Sequence, residues 1–232
     1  MDYHKTDPEF MERFEQFAFQ EVPNEEGQQL DDKTRYTAIL ASLMGCQGVE
    51  EYEIVLAKAL DSGLSPIAVK EIVYQAVDYL GIGRVLPFLK VTNQIFEQRN
   101  IPLPLEGQST TTLENRLEKG VEAQAEIFGE HMKEAWKTGH INRWLAANCF
   151  GDYYTRTGLD LKQREMITFC FLAAQGGCEP QLTAHAGGNM NLGNDREFLI
   201  RVVSQCLPYI GYPRSLNAIT CIQKADEMRK EP

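Results

Sequence analysis

A histidine set among small residues is the first position in this chain that invites chemistry. His185 lies in Leu182-Thr183-Ala184-His185-Ala186-Gly187-Gly188, where small neighbours let other helices approach closely or leave room for a ligand. An imidazole titrates near neutral pH and can give or take a proton in a reaction; the competing reading is a satisfied, partly buried histidine. Arg164 and Arg214 can clamp a substrate carboxylate through the bidentate geometry of guanidinium, or form surface salt bridges. Tyr153, Tyr154 and Tyr212 can line a pocket or fill the core at helix junctions. Glu165 opens the apolar run Met166 to Ala174, where a carboxylate gains from the helix dipole.

Six cysteines, Cys46, Cys149, Cys170, Cys178, Cys206 and Cys221, include no C-x-x-C pair. Most sit in apolar stretches and read as small buried hydrophobes. Cys178, after Gly176-Gly177, is the exception, and a lone thiolate there can be oxidised to a sulfenic acid. His131 and His140 have no second histidine or cysteine at i+3 or i+4, so no metal motif is read there. Neither a glycine-rich phosphate loop nor a G-x-S-x-G elbow occurs.

The elements that must position these side chains are helices. Asp7-Pro8 and Ser65-Pro66 each read as an N-cap followed by proline at the first helical position. Asp160-x-x-Gln163 and Asn194-x-x-Glu197 fit the capping box ahead of apolar periodic runs. Sustained period-two alternation is nearly absent, so the expectation is an all-α chain of about ten helices. Between Asn100 and Thr112, Pro102, Pro104, Gly107 and three consecutive threonines read as a linker.

A repeat emerges across that linker. Leu30-Asp31-Asp32-Lys33-Thr34-Arg35 is similar to Leu159-Asp160-Leu161-Lys162-Gln163-Arg164, and Tyr79-Leu80-Gly81-Ile82-Gly83-Arg84 to Tyr209-Ile210-Gly211-Tyr212-Pro213-Arg214. The offsets are 129 and 130, and Gly63 and Gly193 share the second. Common order at nearly one spacing implies duplication of a helical unit. The expected organisation is a first repeat over 1–99, a linker over 100–112 and a second repeat over 113–232.

Composition narrows the partners. A formal net charge of -10 disfavours sequence-independent nucleic-acid binding and docking on anionic membranes. No apolar run approaches the ~20 residues that span a bilayer, and the N-terminus lacks a signal-peptide layout. The expectation is a cytoplasmic protein acting on a small molecule, with no nucleic-acid or membrane partner.

From Gly151 to Asp226 the chain resembles the carboxymuconolactone decarboxylase family of the alkylhydroperoxidase D-like superfamily. The carrying residues are Gly151 to Asp160, Arg164-Glu165 opening a long apolar helix, His185, Gly193, and Tyr209-Ile210-Gly211-Tyr212-Pro213-Arg214-Ser215-Leu216-Asn217-Ala218. A shorter copy covers about Leu30 to Arg99. The resemblance implies a duplicated helical fold that assembles into rings, with a trimer of tandem chains as the natural homo-oligomer.

The superfamily's thiol peroxidases carry E…C-x-x-C-x-x-x-H. With His185 on the motif histidine, Glu165 and Cys178 match, but the second cysteine position is Gln181. A dithiol cycle needs a resolving thiol, which Gln181 cannot supply. The decarboxylase branch keeps the histidine and lacks the cysteine pair. The resemblance therefore implies a lyase for a small carboxylated lactone or oxo-acid. In it Arg164 or Arg214 anchors the substrate, His185 donates a proton to carbon, and Glu165 or Asp152 sets its protonation; the scheme requires no metal or organic cofactor. A thiol peroxidase using Cys178, and a non-catalytic oligomeric ligand-binding or stress-response protein, are the competing classes. At the repeat offset, Val55 and Gly48 stand where the second half has His185 and Cys178, so the first half is expected to be a structural partner without polar chemistry of its own.

Overall fold

Helix signals dominate the chain and every regular element is helical. The structure, a computed structural model, describes residues 2–230. Among them are thirteen α-helices, three more than the capping pattern suggests, together with one 3-10 and two π segments, and no strand. The N-terminal arm comprises α1 (Tyr3–Thr6), α2 (Pro8–Glu15), a π segment (Gln16–Glu21) and α3 (Val22–Asn24). The first repeat is α4 (Asp32–Gly45), α5 (Val49–Asp61), α6 (Pro66–Leu80) and α7 (Ile82–Gln98). After the non-helical connection come α8 (Arg116–Phe128), a 3-10 segment (Glu130–Thr138), α9 (His140–Trp144) and a ten-residue π segment (Leu145–Tyr154). The second repeat is α10 (Leu161–Gln175), α11 (Glu179–Asn191), α12 (Arg196–Ile210) and α13 (Tyr212–Met228).

The duplication is visible in backbone detail. Asp31 and Asp160 cap α4 and α10 through their side chains, and Ser65 and Asp195 cap α6 and α12. Asp160 and Gln163 complete the expected capping box. The cap of α12 is Asp195 and not Asn194, because the side chain of Asn194 is turned inward to donate to the Lys162 carbonyl and to Asn189. Asp7 occupies the N-cap position of α2, but its side chain makes no capping bond. Gly63 and Gly193 share φ values of 88° and 89°, and Gly81 and Gly211 share 78°.

The two repeats are not separate bodies. α4 and α10 lie against each other so closely that a Cβ on Gly45 would sit 2.6 Å from the Phe171 carbonyl oxygen. α6 packs across onto α10 and α12 across onto α4, and one hydrophobic core holds residues such as Ile39, Met44, Ile72, Phe169, Phe171 and Val202. Polar cross-bonds follow the same pseudo-symmetry: Arg35 on α4 donates to Gln205 on α12 (2.9 Å), and Arg164 on α10 donates to Gln75 on α6 (3.0 Å).

One cross-bond has no counterpart. Arg164, fully buried, donates through Nη2 to Glu71 of α6 at 2.9 Å, and Arg156 forks onto the same carboxylate at 2.9–3.1 Å. The position equivalent to Glu71 in the second repeat is Arg201. This ion cluster therefore breaks the symmetry and joins the first repeat to the loop before α10.

Burial makes the cluster sensitive to loss of one partner, since an uncompensated internal charge costs about 3–5 kcal/mol. Glu71→Ala should reduce unfolding free energy by about that much in chemical denaturation. A loss below about 1 kcal/mol, the scale of a surface pair, would show that the cluster does not hold the repeats together.

Candidate functional site

The two strands of evidence for a site, a titratable histidine and a dipole-favoured carboxylate, meet in the core. His185 on α11 places Nδ1 2.9 Å from Oε2 and 3.1 Å from Oε1 of Glu165 on α10. Glu165 is fully buried, while 11% of the His185 side chain reaches solvent. This closeness depends on Gly188, one residue short of a helical turn beyond His185: a Cβ there would sit 2.7 Å from Glu165 Oε2 and 2.9 Å from the Phe128 ring. Rings of Phe128 and Tyr79 pack edge-on against His185, with centroids 5.2 and 5.6 Å away.

Glu165 is the end point of a converging set of donors. Tyr154 Oη donates to Glu165 Oε1 at 2.8 Å. Its oxygen also lies 2.6 Å from Thr168 Oγ1 and 2.9 Å from Tyr79 Oη. Gln75 Nε2 donates to Thr168 at 2.8 Å, and the Cys149 thiol donates to Tyr79 at 3.5 Å. Each hydroxyl has one proton. With Tyr154 committed to Glu165, Thr168 and Tyr79 both donate to Tyr154, and the whole set runs in one direction towards the carboxylate. Burial pushes the phenols of Tyr79 and Tyr154 well above their usual range, so both act as neutral donors.

The π segment supplies Tyr154 and Cys149. It is held by backbone contact with α8, where a Cβ on Gly120 would lie 1.8 Å from the Ala146 oxygen and one on Gly151 would lie 2.0 Å from the Arg116 oxygen. Only glycines allow that approach. A π-helix widens the turn and re-aims side chains, which is why such segments accompany functional positions.

The first repeat is not chemically silent, contrary to expectation. Glu71, Gln75 and Tyr79 recur at i, i+4 and i+8 on α6 and all point across into the second repeat. That spacing was available in the sequence: three polar residues recur at i, i+4 and i+8 on one face of the helix. Tyr154 and Thr168 gave a weaker signal, as one tyrosine of a pair and an isolated threonine in an apolar run.

The other expected site residues are placed elsewhere. Arg164 is a fully buried structural cation whose Nη1 and Nη2 donors go to Glu71, Gln75 and the carbonyls of Arg156 and Thr157. It has no free donor pair for a substrate, and it is not a surface salt bridge either. Asp152 is paired with Arg116 at 2.5 Å and accepts from Asn148 at 3.1 Å, making no bond to His185 or Glu165 among the described residues. Arg214 lies over Gly176. Tyr153 is half-buried, with its phenol pushed up by burial and by the charges of Asp78 and Asp152. Tyr212 is 61% exposed. The Cys178 thiol donates to the Leu172 carbonyl (3.5 Å) and receives Gln175 Nε2 (3.8 Å), and burial raises it above an ordinary cysteine. Gln181 is exposed on α11.

This arrangement coincides with a family match. The model of the carboxymuconolactone decarboxylase family matches residues 8–94 and again residues 140–224. The chain belongs to this family, as a tandem member. The first match reaches back into the N-terminal arm, well before Leu30, where the turn landmarks begin. A comparison with curated proteins returned no match. In this family member, among the described residues, no helix is long and apolar enough to cross a membrane, and no group of three or more His, Cys, Asp or Glu side chains is placed to hold a metal ion.

Asp78, next to Tyr79, is a titratable group that sequence reading missed. Burial and the nearby Asp152 charge push its carboxyl up to about 7, against a lowering contribution from Cys149, and its Oδ2 has no hydrogen-bond partner among the described residues. The folded protein thus holds a proton here that the unfolded chain releases near pH 4, so this group costs stability progressively as pH rises from about 4 to about 7. Asp78→Asn should therefore raise stability at pH 8 by on the order of 2 kcal/mol, with the gain disappearing by pH 4. An equal effect at both pH values would contradict the assignment.

Proposed function

We propose that this protein is a lyase that decarboxylates a small carboxylated lactone or oxo-acid, with His185 as the proton-transfer group. The observation that carries the reading is the pairing of His185 Nδ1 with a fully buried Glu165 at 2.9 Å, while Nε2 has no bond among the described residues. A carboxylate on Nδ1 fixes the ring orientation, favours the tautomer with hydrogen on Nδ1, and stabilises the imidazolium when Nε2 takes a proton.

In the reaction, the bond from carbon to the departing carboxylate breaks and carbon dioxide leaves. The electron pair passes into the conjugated carbonyl system, and His185 Nε2–H delivers a proton to the carbon. The Nδ1 hydrogen stays on the ring throughout, donated to Glu165, and Nε2 is recharged from solvent. His185 is the catalytic residue in this scheme, whereas Glu165, Tyr154 and Tyr79 position it. The scheme calls for no cofactor. It is supported over thiol peroxidase chemistry by Cys178, whose thiol is bonded to a backbone carbonyl, is raised in pKa by burial, and has glutamine where a resolving cysteine would stand.

We further propose that three tandem chains form a ring in the cytoplasm. Ile82 and Leu86 at the start of α7 are 55% and 52% exposed, and their repeat equivalents Tyr212 and Leu216 on α13 are 61% and 64% exposed. Each repeat thus offers the same apolar pair, as a pseudo-sixfold ring requires.

Carbon dioxide release from a panel of carboxylated lactones and 2-oxo acids tests the reading. His185→Ala should lower turnover of an accepted substrate by about 10²–10⁴-fold, and Cys178→Ser should leave it nearly unchanged. Unchanged turnover in His185→Ala would sink the assignment, as would loss of turnover in Cys178→Ser. Sedimentation of the same preparation should give three chains per particle, and a monomer would remove the ring.

A further inference from the structure

Beside the His185–Glu165 pair, a surface cleft of about 450 Å³ opens between α8, α11 and α13. Its volume falls within the range of small-molecule sites. Phe128, whose ring stands edge-on to His185, forms part of the wall, and Ala184, Gly187 and Gly188 lie on the same helix as His185. The chain carries 33 acidic residues against 23 lysines and arginines, yet among the described residues this lining includes no carboxylate. Its ionisable members are His131, Lys224 and Arg229.

Arg229 is held in place by neutral acceptors, bonding to the Asn191 side-chain oxygen and, at 3.4 Å, to the Gly187 carbonyl. Its charge is thus oriented without a carboxylate bonded to it among the described residues. Of the two acidic residues between Lys224 and Arg229, Asp226 is taken up by Lys230 at 2.6 Å and Glu227 makes no salt bridge among the described residues. Lys224 makes no salt bridge among the described residues. Gly187 has nothing within 4 Å of where a Cβ would stand, so the cleft is open over the turn that follows His185.

We propose that this cleft seats a small organic anion bearing two carboxylates, with Lys224 of α13 and Arg229 just beyond its end gripping one and the remainder of the molecule lying over Gly187 and Phe128 towards His185. The inference rests on the proposed role of His185 and gives that reaction a substrate anchor, a role that fully buried Arg164 cannot perform. Lys224 and Arg229 supply binding and orientation, and the reacting carbon lies at the Phe128 end.

Adipate, a flexible six-carbon dicarboxylate, is a suitable probe, with adipamide as its uncharged isostere. In calorimetric titration of the full chain at low ionic strength, adipate should bind, weaken as salt is added, and outcompete adipamide. The double variant Lys224→Gln/Arg229→Gln should weaken adipate at least about tenfold with an unchanged circular dichroism spectrum. In NMR titrations of the unaltered chain, adipate should move the His185 ring signals. Failure of adipate to bind, equal affinity in the double variant, or unmoved His185 signals would each overturn the proposal. Because binding is read directly, a lack of lactone turnover alongside these responses would count against the lyase reading and uphold the seat.

Discussion

A carboxylate removed entirely from water must find its hydrogen bonds inside the protein, and most of this structure can be read as the means of supplying them to Glu165. Burying an isolated charge in a medium of low polarity costs many kcal/mol, so a fully buried glutamate without donors would simply take up a proton. Here Tyr154 bonds one oxygen and His185 the other. Each in turn requires support. Tyr154 needs the π segment to aim it, and the π segment needs the Gly120–Gly151 backbone contact. His185 needs α11 to approach α10, which Gly188 permits. Thr168 and Tyr79 complete the donor set, and both are served from elsewhere, by Gln75 and Cys149.

This requirement gives the duplication its meaning. Pseudo-symmetric bonds, Arg35 with Gln205 and Arg164 with Gln75, tie each repeat to the other through equivalent positions. Symmetry fails where the site lies. Glu71 and Tyr79 of the first repeat reach the second, while Val55 occupies the position equivalent to His185. One repeat carries His185 and the other supplies part of the polar network around its partner Glu165. The two cannot diverge independently, because α6 of the first repeat packs on α10 of the second.

Much of this was legible in the sequence, for physical reasons that can be named. N-caps at Asp31, Ser65 and Asp160 and left-handed glycines at 63, 81, 193 and 211 are local requirements, so they mark helix ends and reveal the repeat without tertiary knowledge. His185 and Glu165 were legible as a pair through the family motif. What stayed hidden depended on distance: the partner of Arg164 lies 93 positions earlier in the chain, at Glu71. A buried arginine and an exposed one look alike until the facing helix is known. The cap of α12 was missed because Asn194 and Asp195 are both good caps, and only the inward bonds of Asn194 decide between them. Asp78 gave no signal because the burial and the Asp152 charge that perturb it arise only when distant parts of the chain pack together.

The central claim is that Glu165 holds the proton of His185 on Nδ1 and leaves Nε2 free for chemistry. Nitrogen NMR of protein labelled at its histidines measures this directly, since protonated and unprotonated ring nitrogens resonate far apart. With His185 assigned by comparison with His185→Ala, the account predicts, for the neutral ring, a protonated Nδ1 and a bare Nε2. A neutral His185 with its hydrogen on Nε2 would contradict it.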